Sequence, residues 1–145
     1  MRLFSIFLIG FLFPPSTGWE TNFEHAKEIA HQQHKNILLN FSGSDWCGPC
    51  IRMRDEFFEI APFKDLADSS LVLLNADFPR MKKNQLSKEQ QKENNRVADQ
   101  YNPHGLFPLT LLLDETGKVI FTWEGYPAMT PSYFINQVKI LINAR

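Results

Sequence analysis

Apolar residues recur along this chain with two different periods, and those periods lay out its elements. Over residues 21–35, TNFEHAKEIAHQQHK, the residues Phe23, Ala26, Ile29 and Ala30 fall at three- and four-residue steps, the spacing of one helix face. His25, His31 and His34 lie mostly on its polar side and read as solvated. ILLNFS, 37–42, is a short apolar run of strand length. From Cys50 the helical spacing returns: Cys50, Met53, Phe57 and Ile60 share the core side of a helix through IRMRDEFFEI. LVLLNADF, 71–78, is a second nearly continuous apolar run. Two buried-type strands around a helix predict a parallel crossover unit.

The pattern changes at residue 80. RMKKNQLSKEQQKENNRVADQYN, 80–102, is polar and charged, and its basic cluster Arg80, Lys82 and Lys83 reads as a solvated face. Ser87 and Gln90 predict a capping box for a helix ending near Tyr101, anchored by Val97 and Tyr101. LTLLLD, 109–114, predicts a third strand. The turn Glu115-Thr116-Gly117 joins it to KVIFTWEG, 118–125, as an antiparallel hairpin. Thr130 followed by Pro131 marks an N-cap with proline at the first helical position. Phe134, Val138, Leu141 and Ile142 form the apolar face of the last helix. The predicted order is a leading helix, then β-α-β-α-β-β-α, an α/β fold with a mixed sheet of about four strands flanked by helices.

The first residues do not fit that layout. Met1-Arg2, the apolar run LFSIFLIGFLF and PPSTG have the basic, apolar and small-residue zones of a secretory signal peptide. The run is shorter than the roughly 20 residues that span a bilayer. Residues 1–18 are therefore expected to direct export, with cleavage before Trp19 or retention as an anchor, and residues 19–145 to form one domain. At 145 residues, 43% hydrophobic and 21% charged, the chain has the balance of an ordinary single domain. A net charge of −1 speaks against a nucleic-acid binder. An exported protein with two closely spaced cysteines and no disulfide framework is expected to act on the cysteines of other proteins.

Those cysteines stand in WCGPC, 46–50, after the first strand and at the start of a helix. Residues i and i+3 in a first helical turn lie roughly 5 Å apart. Disulfide Cα separations of about 4.4–6.8 Å include that value, so the bond forms and breaks with little backbone movement. Pro49 sits where a missing N–H costs nothing. Gly48 has no side chain to block an incoming disulfide. The unpaired N–H groups of the helix start favour a thiolate, the attacking species. Cys47 is thus the expected exposed nucleophile and Cys50 the more buried resolving thiol. Two cysteines are too few for a zinc or copper site, even with His104 nearby, so neither metal nor cofactor is expected.

WCGPC between strand and helix, with Phe107-Pro108 before the third strand, resembles the thioredoxin family over nearly all of residues 21–145. FSGSDWCGPC is most similar to exported bacterial members, the thiol:disulfide interchange group. The resemblance implies that Pro108 is a cis-proline packed against the redox pair and that Phe107 contacts the substrate backbone. Trp46 matches the tryptophan before the first cysteine, and Gly125 a glycine after the last strand. The family's buried aspartate is replaced by Asn40, and its partner lysine falls near Leu73, so both charges are lost together. Asp45 or a water is then expected to relay the proton of Cys50. Asp55 stands near the family's helix-kinking proline, and Leu109 replaces the threonine after the cis-proline.

The implied function is a thiol-disulfide oxidoreductase that reduces disulfides of exported proteins. A membrane-embedded thiol:disulfide reductase is the implied electron donor, and a monomer is expected. Gly-Pro between the cysteines is similar to reducing thioredoxins at about −270 mV, against about −120 mV for the periplasmic oxidant. Surrounding hydrogen bonds also set the potential. An oxidase or isomerase, or a redox-inactive binding module, therefore remain the alternatives.

Overall fold

The computed structural model describes residues 18–144. Most of the expected signal segment lies outside the described residues. The elements are α1 (Phe23–Gln33), β1 (Asn36–Ser42), α2 (Gly48–Met53), α3 (Ala61–Ser70), β2 (Leu71–Asp77), α4 (Lys88–Tyr101), β3 (Leu109–Leu113), β4 (Val119–Glu124) and α5 (Pro131–Asn143). A π-helical turn, Arg54–Phe58, continues α2, and a short 3₁₀ turn, Lys82–Asn84, precedes α4.

The four strands form one mixed sheet in the order β2-β1-β3-β4. β1 runs parallel to β2 and antiparallel to β3, and β3 pairs antiparallel with β4. The crossover and the hairpin both follow the sequence expectation. Glu20 extends the sheet beyond β2 by one parallel bridge to Leu74.

Strand alternation splits the core into two layers. Ile37, Leu39 and Phe41 of β1 join Leu109, Leu111 and Leu113 of β3 on the face covered by Phe23, Ala26 and Ala30 of α1 and Val97 of α4. Leu38 and Leu112 point the other way, toward Met53, Phe57, Phe63 and Phe134. Asn40 shares the parity of Leu38, and Thr110 that of Leu112. Polar side chains therefore enter the layer that also holds the cysteine helix.

Three local features differ from the sequence expectation. The helix predicted from Cys50 through Ile60 is irregular, and a further helix not read from the sequence follows it. The first widens into the π turn and stops at Ile60, whose backbone is extended, and α3 then begins with Pro62 in the first turn. The irregularity at Asp55 thus comes from an extra-wide turn in place of a proline. The capping box is half formed: Ser87 Oγ accepts from Gln90 N, but Gln90 Nε2 donates to Thr21 O and Asn94 Oδ1. In α5, Ile135 is buried together with Phe134 and Val138, while Leu141 and Ile142 are only half-buried.

Phe134 is the hub of the second layer. It is fully buried, and its ring meets those of Phe57, Phe58, Phe63 and Trp123 at centroid distances of 4.9–6.4 Å. Phe134→Ala is expected to lower the unfolding free energy by about 3–5 kcal/mol, read as a lower urea midpoint at unchanged slope.

Candidate active site

β1 delivers the site. All seven of its residues are buried, and the chain leaves the sheet at Ser42 into the loop that carries Trp46 and Cys47. Cys47 is the N-cap of α2, with extended backbone, and its Sγ accepts a hydrogen bond from Cys50 N at 3.3 Å. Pro49 lies in the first turn. The two cysteines form a disulfide with Cα atoms 5.2 Å apart, within the range their spacing predicts.

Exposure of the whole residues does not separate the two cysteines as expected. Cys47 and Cys50 are each only 5% exposed, while Gly48 and Pro49 between them are exposed. The Cys47 sulfur faces the first turn of α2, where Cys50 N donates to it. What distinguishes Cys47 is the helix-start N–H aimed at its sulfur.

The loop before Cys47 is tied to the segment after β2 in both directions. The Asp77 carboxylate accepts from Ser42 Oγ, Ser44 N and Ser44 Oγ. The Asp45 carboxylate accepts from Arg80 N and Met81 N at 2.9 Å and from Asn84 Nδ2 at 3.0 Å. Trp46 Nε1 donates to Phe78 O at 2.7 Å. Gly43 permits this packing, since a Cβ there would lie 2.3 Å from Trp46 Cε2.

These contacts give Asp45 a different task from the proton relay expected of it. The hydrogen bond from Arg80 N is the largest influence on its carboxyl, which titrates below the ordinary aspartate value of 3.8. A carboxylate so engaged is a weak base, and it anchors residues 80–84 instead.

Behind Cys50 lies a cavity of about 260 Å³, lined by Cys50, Asn40, Ser42, Asn75, Trp19 and Glu59 among others. Asn40 is 7% exposed and pairs in register with Asn75, while Leu73 lies opposite Leu38. The residue beside Asn40 on β2 is thus Asn75, two places beyond Leu73. Asn40 Nδ2 donates to Asn75 Oδ1 at 3.2 Å, and Thr110 Oγ1 donates to Asn40 Oδ1 at 3.0 Å. Thr110 lies on the opposite face of β3 from Leu109, so it bonds Asn40 and does not stand in for a threonine beside Pro108.

The Phe107–Pro108 peptide is cis, Pro108 is buried, and its carbonyl accepts from Gly125 N at 2.9 Å. Gly125 has φ +71°, a conformation that suits glycine. Phe107 is half-buried, with its ring 5.5 Å from those of both Trp46 and Phe78. His104 is exposed in the turn closed by Asn102, whose side chain bonds both Leu106 N and Leu106 O.

Sequence reasoning missed Gly43, Asn75 and Asp77, and it singled out Arg80 for its charge without its contact to Trp46. Asp77 had a readable signal, an acid closing an otherwise apolar strand. Asn75 depends on strand register, and Arg80 on a stack with Trp46 that the sequence leaves open.

Comparison with known proteins agrees with this geometry. Residues 18–114 match the family model described as thioredoxin-like. The chain is 35% identical over 127 residues to the disulfide bond reductase DsbH of Chlamydia pneumoniae, covering 88% of this chain and 74% of that protein. A solved structure of a DsbH oxidoreductase superposes with a TM-score of 0.78 at 33% identity, over 88% of this chain and 85% of that one. A poplar thioredoxin h shares the fold, with a TM-score of 0.57 at 20% identity over 85% and 94% of the two chains.

Two outcomes follow. Thr110→Val leaves the buried Asn40 Oδ1 without its donor and is expected to cost about 1–3 kcal/mol in urea unfolding. For Asp45 the folded pKa is depressed, so its contribution is complete above the unfolded value and is lost as pH falls through the folded one. The stability gap between the native protein and Asp45→Ala should therefore be largest near neutral pH. It should close in acid below 3.8, as followed by Trp fluorescence during denaturation.

Proposed function

Since the chain belongs to the thioredoxin-like family and is a thiol-disulfide oxidoreductase, we propose that its reduced Cys47–Cys50 pair reduces disulfides of exported proteins. The observation that carries the role assignment is the Cys50 N–H directed at Cys47 Sγ. That donor stabilises a thiolate on Cys47 and leaves Cys50 as the second thiol.

The exchange then balances in two steps. The Cys47 thiolate attacks one sulfur of a substrate disulfide, forming a Cys47–substrate disulfide and releasing the other substrate sulfur as a thiolate. Cys50, losing its proton, attacks Cys47 Sγ, closes the Cys47–Cys50 disulfide and frees the second substrate thiolate. Two electrons pass from the pair to the substrate, whose thiolates take up protons from water. Asn40 cannot accept the Cys50 proton, so water in the cavity behind Cys50 takes it; the polar lining suits such water. Trp46, Gly48 and Pro49 frame the pair. Pro108 backs it, and Phe107 offers its backbone to the substrate.

The reducing direction proposed here is supported by what surrounds the sulfur. Neither Gly48 nor Pro49 carries a side-chain donor, so the reduced form gains the helix-start contact without an added partner from between the cysteines. That supports a potential at the reducing end of the scale, as does similarity to a protein named a disulfide bond reductase. A reductase outside the cytoplasm needs a supply of electrons, and a membrane-embedded thiol:disulfide reductase is the donor proposed. Export through residues 1–18, with 19–145 as the mature domain, belongs to the same reading. Among the described residues no helix is long and apolar enough to cross a membrane.

Cys47→Ser is expected to abolish insulin-disulfide reduction, whereas Cys50→Ser should accumulate mixed disulfides that a reductant releases. Equilibration against a dithiol buffer should place the pair near about −270 mV. A value close to about −120 mV would reassign the protein as an oxidant.

A further inference from the structure

Beside Cys47 the surface carries a feature that the exchange chemistry does not use. Residues 78–88, FPRMKKNQLSK, contain four cations and no acid in a chain whose net charge is −1. Arg80, Met81, Lys82 and Lys83 are exposed, yet the segment is fixed. Asp45 holds the backbone of Arg80 and Met81 and the side chain of Asn84, and the 3₁₀ turn Lys82–Asn84 sets its shape. A merely solvated excursion requires none of these ties.

The Arg80 guanidinium lies 3.7 Å from the centre of the Trp46 ring. Trp46 adjoins Cys47, so one positive charge is held beside the redox pair. A guanidinium that stacks on a ring by its flat face keeps its in-plane N–H groups for the fork that binds a carboxylate in bidentate fashion. The nearby acid, Asp45, spends its oxygens on main-chain and amide donors. Apolar surface completes the platform. Met81 is 49% exposed, Leu106 is 37% exposed, and the Phe107 ring packs edge-on against Trp46.

Resting on the oxidoreductase reading above, we propose that Arg80, with Lys82 and Lys83, is a docking element that selects disulfide substrates bearing Asp or Glu close to the cysteine attacked. A carboxylate a few residues from the target sulfur meets the Arg80 fork while the sulfur meets Cys47, and an apolar neighbour rests on Met81 and Phe107. The two lysines add a longer-range field that raises the encounter rate of acidic segments.

The test uses three synthetic disulfide-linked peptides that differ only in flanking Glu, Gln or Lys. Their reduction by the reduced protein is followed as kcat/KM. The native protein should prefer the Glu peptide over the Lys peptide by about tenfold or more at low salt. That ratio should shrink as ionic strength rises from about 0.01 M to 0.15 M, where the screening length falls from about 30 Å to about 8 Å. Arg80→Gln should bring the ratio down severalfold. The double variant Lys82→Gln/Lys83→Gln, confined to an exposed turn, should reduce it independently and flatten its salt dependence.

A ratio near one in the native protein would overturn the docking element, as would a ratio that neither variant moves. Hydroxyethyl disulfide, small and uncharged, separates the two levels of failure. If it is turned over while the peptides show no charge preference, the docking proposal alone falls. If it is not turned over, the proposed reductase function falls with it.

Discussion

One hydrogen bond organises this molecule's chemistry, the N–H of Cys50 donated to the sulfur of Cys47. It exists because α2 begins exactly one residue after Cys47, which makes that side chain a helix cap. A slip of one residue would direct the helix-start donors at another group and leave an ordinary thiol. The fold therefore has to determine where the helix starts, and it does so from two sides. A fully buried β1 fixes the chain up to Ser42. Asp77, Asp45 and the Trp46 indole then lace the next residues to the segment after β2. Each carboxylate crosses to the opposite segment, so neither loop can shift without breaking charge-assisted bonds to the other.

The strand wall of the cavity behind the second cysteine is polar without being charged. Asn40, Asn75 and Thr110 satisfy one another within a layer otherwise made of aliphatic and aromatic side chains. A lone carboxylate or ammonium there would carry a large desolvation cost unless paired. Two amides and a hydroxyl keep that wall hydrated in character while removing the charge. The consequence is structural: on this wall of the cavity hydrogen bonds between neutral groups stand where a buried charge would need a partner.

The polar stretch between β2 and α4 has a role that composition alone does not suggest. Its carboxyl-terminal part is a capped helix whose Asn94 and Val97 are buried. Its amino-terminal part is pinned beside the tryptophan that precedes the redox pair. Basic charge placed on a rigid strap next to a reactive sulfur acts on whatever approaches that sulfur, unlike charge spread over a mobile loop, which averages out.

Much was legible in the amino-acid order alone. The strand and helix periods, the Cys-Gly-Pro-Cys turn and Thr130-Pro131 are local signals whose physics acts within a few residues. They determined the α/β class, the sheet hairpin and the position of the redox pair. Other facts involve residues far apart in the chain. The Asn40–Asn75 pairing depends on the register of two strands separated by two helices. The occupation of Asp45 by residues 80–84, the Arg80–Trp46 stack and the equal burial of the two cysteines arise only when distant segments meet. The π turn and the separate helix α3 after Ile60 are likewise not read from the apolar spacing. Short-range periodicity determines which elements form, and tertiary packing decides which polar groups face one another, because hydrogen-bond partners are chosen by position in space.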